Sequence, residues 1–205
     1  MFAMGMAAMN VTDRVESDVH GQAADEGDEA FAIERALGRK EYRDALSRCA
    51  RLYGASIGRL CMAFLGSQGE ADEVAQETLL AAYDAFPAYR AEGTVKSFLF
   101  GIARKLCARA LEKRTRQTAR LRLVHDTDHG PDAGEQALRR ESAERARTAL
   151  ASLRPTEREA LLLRYQGDLS FREVASACGC DEAAARKRVS RGLSRMRELL
   201  TEESV

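Results

Sequence analysis

The side chains best suited to chemistry in this chain are cations near its C-terminal end. Arg186, Lys187, Ser190 and Arg191 recur at a spacing that gathers them on one side of a helix, with Arg188 and Arg195 beside them. Arginine on such a surface can give two hydrogen bonds to a guanine edge, while neighbouring cations neutralise phosphates. The chemistry is recognition rather than bond-making. No nucleophile–base pair, phosphate-cradling loop or metal set is legible in the sequence, so no enzyme activity, cofactor or metal is expected.

The stretch that must position these cations runs from Leu153 to Leu200, LRPTEREALLLRYQGDLSFREVASACGCDEAAARKRVSRGLSRMRELL. Ala160, Leu161, Leu162, Leu163 and Tyr165 are the apolar residues of a first helix, which stops around Gly167 and Asp168. Ser170, with Glu173 three residues on, predicts a capping box opening a short helix through Val174 and Ala175. Gly179 supplies a sharp turn, because glycine enters the left-handed region without penalty. Asp181 then caps a last helix whose apolar face is Ala185, Val189, Leu193, Met196 and Leu200. By itself a basic helix is a solvated face. A capped short helix, a glycine turn and a basic helix in that order describe a helix-turn-helix, whose second helix enters the DNA major groove.

A chain of 205 residues holds one or two small domains. Its 32 lysines and arginines balance 32 aspartates and glutamates, which taken alone speaks against nucleic acid. The distribution speaks the other way. Between Arg104 and Arg122 stand Arg104, Lys105, Arg109, Lys113, Arg114, Arg116, Arg120 and Arg122 against Glu112 alone. The compensating acids lie in 13–34, 70–84 and 126–144. Two basic blocks predict two separate nucleic-acid contacts. No apolar run is long enough to cross a bilayer, and MFAMGMAAM lacks the basic leader of a signal peptide, so a cytoplasmic protein without membrane insertion is expected. Its several methionines leave the translation start open. Cys49, Cys61, Cys107, Cys178 and Cys180 lack disulfide-framework spacing and are read as reduced, buried core residues. Cys178 and Cys180 are too close for an ordinary zinc half-site, and His20, His125 and His129 fall on predicted loops.

Residues 1–29 read as a disordered acidic tail, 30–123 as an all-helical domain, 124–140 as a flexible linker and 141–205 as the helix-turn-helix domain. The fold class is therefore all-α, two small helical domains. The first long helix is predicted over Tyr42–Leu65, closed by Gly66-Ser67-Gln68-Gly69. The next, from about Ala71 to Phe86, turns Val74, Leu79, Ala82, Tyr83 and Phe86 inward and Asp72, Glu73, Gln76, Glu77 and Leu80 outward. Pro87 ends it, and 88–96 forms a loop with Tyr89, Arg90 and Lys96. A further helix from near Ser97 buries Phe98, Leu99, Ile102, Ala103, Leu106 and Ala110, and Lys105, Arg109, Lys113 and Arg116 recur on another face. Such a helix, after a loop bearing an aromatic, can hold a backbone while bases stack nearby. The linker, about 15 residues, can span tens of ångströms, which would let the domains grip separate DNA sites.

Taken together, the chain resembles bacterial sigma factors of the extracytoplasmic-function group, from roughly Ala45 to Leu200. EADEVAQETLLAAYDAFPAY resembles region 2.2 of that family, TVKSFLFGIARKLCARALEKR regions 2.3 and 2.4, and LRPTEREALLLRYQGDLSFREVASACGCDEAAARKRVSRGL region 4. The resemblance implies that Asp72, Glu73, Gln76, Glu77 and Leu80 dock on the clamp of the largest RNA polymerase subunit, and region 4 on the flap of the second largest. It implies that Tyr89, Arg90, Lys96, Phe98, Lys105, Arg109 and Lys113 capture and hold the minus-ten strand of promoter DNA. Ser170, Arg186, Lys187, Arg188, Ser190 and Arg191 would read the minus-thirty-five element, and an anti-sigma factor would hold the protein in check. Phe98 stands where the family usually has tryptophan, Lys105 where asparagine is common and Arg109 where aspartate is common. Ala183-Ala184-Ala185 replaces the usual Gly-Thr-Val, and Lys187 replaces a serine, so the promoter sequence does not follow from family habit. Two rivals use the same residues: a dimeric helix-turn-helix regulator that never engages polymerase, and a sigma-like adaptor that sequesters an anti-sigma protein.

Overall fold

The computed structural model describes residues 27–121 and 145–202. Among the described residues every regular element is a helix. They are α1 (27–38), α2 (Tyr42–Leu65), α3 (Gln68–Ala85), α4 (Val95–Leu121), α5 (145–152), α6 (Pro155–Tyr165), α7 (Phe171–Cys178) and α8 (Glu182–Glu202). The tail through residue 26 and the expected linker lie outside the described residues.

Local chemistry sets the boundaries. Gly66 closes α2 at φ 71, its N–H donating to the Met62 carbonyl at 2.9 Å. The chain re-enters a helix almost at once, so α3 begins at Gln68 rather than near Ala71, with Glu70 in its first turn. Pro87 then converts the end of α3 into a single 3-10 turn, Phe86–Ala88. The Thr94 hydroxyl accepts from the Ser97 N–H at 3.1 Å, which starts α4 at Val95 rather than at Ser97. The first helix also starts earlier than the expected tail boundary. Glu29 lies inside α1 and pairs with Arg48 at 3.1 Å and Arg51 at 2.9 Å, tying that helix to α2.

The first half is an α2–α3 hairpin crossed by α4. Ile57, Leu60, Cys61, Ala71, Ala82, Leu99 and Ala103 form its buried interior. In the second half α6 and α7 both pack on α8, around Leu162, Leu163, Leu169, Val174, Ala185 and Val189. Two expected core residues differ. Tyr165 is 57% exposed because α6 ends with it and its ring swings outward, and Leu200 is 39% exposed near the end of α8. Cys49, Cys61 and Cys107 are buried as expected, whereas Cys178 and Cys180, at the turn around Gly179, are only half-buried.

The two halves were expected to be separate; they pack against each other through α4 and α7. Phe100, fully buried on α4, is the apolar link, and burying a side chain of that size contributes about 1.5–3 kcal/mol. Gly167 admits it: a Cβ there would stand 2.8 Å from two Phe100 ring carbons and from the Leu163 carbonyl. At Gly101 a Cβ would come within 3.3 Å of the Ala177 carbonyl, so the helices meet almost backbone to backbone. Around this contact Thr94 donates to Glu173 at 2.9 Å, the Ser97 and Ser176 hydroxyls lie 3.2 Å apart, and Arg104 pairs with Glu159 at 2.7 Å.

Candidate nucleic-acid interface

The recognition unit follows from its caps. Ser170 and Glu173 form the expected box: the Ser170 hydroxyl accepts from the Glu173 N–H at 3.2 Å, and the Glu173 carboxylate accepts from the Ser170 N–H at 2.9 Å. Gly179 turns the chain at φ 64, and Asp181 accepts from the Ala184 N–H at 2.7 Å to open α8. Ala185 and Val189 are buried against α6 and α7, which directs Arg186, Lys187, Ser190 and Arg191 to solvent, while Arg188 is half-buried. Gly192 was missed by periodicity. It lies where α8 crosses α6, and a Cβ would come within 3.0 Å of Leu161.

A second cationic surface runs along α4, where Lys105, Arg109 and Lys113 are all exposed. Just before that helix, the loop folds over an aromatic cluster. The Tyr89 and Phe98 rings lie 5.0 Å apart, Phe98 lies 6.3 Å from Phe86, and Phe86 lies 6.3 Å from Tyr42. The Tyr89 hydroxyl donates to the Gly93 carbonyl at 2.7 Å, and burial, with help from Glu34 and Cys49, pushes its phenol up to about 12. Tyr89 is thus a fixed neutral donor at any ordinary pH. Tyr89, Arg90, Phe98 and Lys105 line a cleft of about 310 Å³ whose far wall is Ser176 and Ala177 of α7. Lys96 does not join this surface, because its ammonium donates to the Asp168 carbonyl at 2.8 Å.

The acidic face of α3 emerges as expected, with Asp72, Glu73, Gln76 and Glu77 exposed and Leu80 63% exposed. Thr78 was missed by the helical pattern: it is fully buried, its hydroxyl donating to the Val74 carbonyl at 2.7 Å. Glu73 and Glu77 share a cleft of about 350 Å³ with Arg109 and Lys113 of α4. The acidic and basic surfaces of the first half therefore meet along one seam. Arg114, read in the sequence only as one cation of the basic block, anchors that seam by donating to the Leu65 carbonyl at 2.8 Å and pairing with Glu70 at 3.3 Å.

Residues 49–117 match the family described as Sigma-70 region 2, and residues 143–196 match Sigma-70, region 4. The chain is 32% identical over 170 residues to the ECF RNA polymerase sigma factor SigC of Mycobacterium tuberculosis, covering 82% of this chain and 88% of that protein. Its fold is similar to that of CnrH, solved in complex with the cytosolic domain of CnrY, at a TM-score of 0.61 and 18% identity over 85% of this chain and 97% of that one. It is also similar to the sigma factor RpoE of Bartonella quintana, solved with the anti-sigma factor NepR, at 0.58 and 24% identity over 76% and 96%. With both regions matched in order and a relative about a third identical along most of its length, the chain belongs to the sigma-70 family, among its extracytoplasmic-function sigma factors.

Proposed function

We propose that this sigma factor binds core RNA polymerase through the exposed α3 face, with Asp72, Glu73, Gln76, Glu77 and Leu80 on the clamp of the largest subunit. The C-terminal half sits on the flap of the second largest. Arg186, Lys187, Arg188, Ser190 and Arg191 enter the major groove of the upstream promoter element, with Ser170 at the entrance to the helix-turn-helix. Tyr89, Arg90 and Phe98 receive the opened minus-ten strand, and Lys105, Arg109 and Lys113 hold its phosphates. Strand opening needs no catalytic group on this chain, since capture of unstacked bases offsets a cost of about a few kcal/mol per step. The protein acts in the cytoplasm, where polymerase and promoters are.

The observation that carries this reading is the seam between α3 and α4, where Glu73 and Glu77 stand beside Arg109 and Lys113. One small half thereby offers an acidic face and a basic face at once, which suits a protein placed between a second protein and DNA. A dimeric regulator needs only the basic one. Promoter loading on this reading requires the α4–α7 contact to open. Thr94, Ser97 and Lys96, around the strand-capturing loop, are bonded to the C-terminal half. An anti-sigma factor is the partner that would oppose loading, by analogy with the relatives solved beside such proteins.

Run-off transcription with bacterial core polymerase on a promoter library tests the reading. Discrete start sites that appear only with this protein, and share two spaced upstream motifs, are the expected result. Polymerase that neither binds the protein nor starts at new sites would reject it.

A further inference from the structure

An aromatic ring at the start of α7 has two guanidinium groups close to it. The guanidinium carbon of Arg186 stands 4.4 Å from the Phe171 ring centroid, and that of Arg164 stands 5.3 Å from it. A phenyl face carries negative potential, so each cation is drawn to it. The two cations are otherwise anchored differently. Arg164 is committed to the loop before α7: its Nη1 donates to the Leu169 carbonyl at 2.9 Å, and Asp168 lies 4.0 Å away. Arg186 donates from Nη2 to the Glu182 carboxylate, one turn back on α8, at 2.6 Å. Its side chain remains 59% exposed, so the guanidinium is steered from two directions while most of its surface stays free.

Packing alone does not account for the ring. Phe171 is half-buried, packed at the edge of the core rather than in it, where an aliphatic side chain would also find apolar company. What leucine would lack is the face on which Arg186 rests. A free arginine on a recognition helix surrenders rotamer freedom when it meets a base, and one already held surrenders less.

We propose that Phe171 is a positioning residue for promoter recognition: its ring holds the Arg186 guanidinium in the orientation in which it reads a base pair of the upstream element. Part of the sequence preference then resides on the helix before the recognition helix, in a side chain that touches no base. This rests on the assignment of Arg186 to base reading under Proposed function.

The test uses holoenzyme assembled from the full chain and core polymerase, transcribing promoters randomised across the upstream element. Compared are the wild type, Arg186→Ala, Phe171→Leu, Phe171→Tyr, the double variant Phe171→Leu/Arg186→Ala, and proteins carrying mono-, di- or trifluorophenylalanine at Phe171. Fluorine drains charge from the ring face and leaves its shape, so this series reports the electrostatic contact even if Phe171→Leu melts early. Arg186→Ala is expected to flatten preference at a restricted set of base pairs. Phe171→Leu is expected to lower preference at the same base pairs about two- to fivefold, and to add nothing in the Arg186→Ala background. Phe171→Tyr keeps the preference, and successive fluorines erode it stepwise. If Arg186→Ala leaves every preference intact, the base-reading assignment falls and the proposal with it. If Arg186→Ala flattens preference while the fluorinated proteins match the wild type, or Phe171→Leu weakens all promoters equally, the role of Phe171 alone is overturned.

Discussion

Arg104 and Glu159 join the two halves of the protein by an ion pair of 2.7 Å, with side chains only 16% and 13% exposed. Arg104 also donates from Nε to the Ala177 carbonyl at 3.2 Å, so one guanidinium binds α6 and α7 together against α4. Deleting one member of a pair so far from water leaves the other charge desolvated and alone, which costs more than the pair itself is worth. Glu159→Ala or Arg104→Ala should each lower stability by about 1–3 kcal/mol in urea unfolding, the cost of leaving a largely buried polar group without its partner. The double variant should lose less than the sum, and either single variant should expand the protein in small-angle scattering. Strictly additive losses would mean that the two charges are not coupled.

The α3 surface makes a prediction of opposite kind. Glu77 is exposed and makes no hydrogen bond or ion pair among the described residues, so Glu77→Lys should change unfolding free energy by no more than about 0.5 kcal/mol. On the proposed docking, its affinity for core polymerase should nevertheless fall about tenfold or more, near 1.4 kcal/mol, because the reversed charge would meet a surface complementary to an anion. Titration of labelled protein with core polymerase measures this directly. Unchanged affinity would move the docking face elsewhere.

Arg191 is exposed on α8, and among the described residues no hydrogen bond or ion pair holds its guanidinium back from DNA. Arg191→Ala should weaken use of the upstream element by about 1–3 kcal/mol and spare polymerase binding. A loss confined to certain bases would mark it as a base reader. A uniform loss with a shallower salt dependence would mark a phosphate contact instead.

How far these sites could be read in advance depended on distance along the chain. Ser170, Glu173, Gly179 and Asp181 act on backbone within a few residues, so their spacing alone located α7 and α8. The outward set on α3 was equally legible, because helical period separates Leu80 from Val74 and Ala82 whatever lies beyond. Phe100 and Gly167 were not legible. Their fit is a contact between residues far apart in sequence, and neither shows a local signal except a glycine that looks like an ordinary helix stop. The same holds for Lys96, whose charge suited DNA by type, while its bond to the Asp168 carbonyl depends on how the halves dock. Tyr165 failed differently. Its apolar period was right, but α6 ends with it and the ring stays mostly in solvent.

Glu173 links helix capping to the docking of the halves, and this makes both sensitive to acid. Burial by itself would raise its carboxyl. The Ser170 N–H, the hydroxyls of Thr94 and Ser170, and the charge of Lys96 more than offset this and hold it below the ordinary 4.5. A carboxyl lowered in the folded state takes up its proton more readily when unfolded. Its stabilisation is therefore complete above the ordinary carboxylate range and is lost as pH falls through the lowered folded value. Glu29 is lowered too, first by its hydrogen bond from Arg51, and so contributes to the same acid limb. Glu29→Gln is therefore the reference against which Glu173 is judged. Chemical unfolding from pH 7 to 3 should show stability declining below about pH 4.5, and Glu173→Gln should be less stable than wild type at pH 7 with a flatter acid limb. The compact scattering profile should be lost over the same range in wild type. An acid limb unchanged in Glu173→Gln but flattened in Glu29→Gln would assign the sensitivity to the α1–α2 contact rather than to the α4–α7 one.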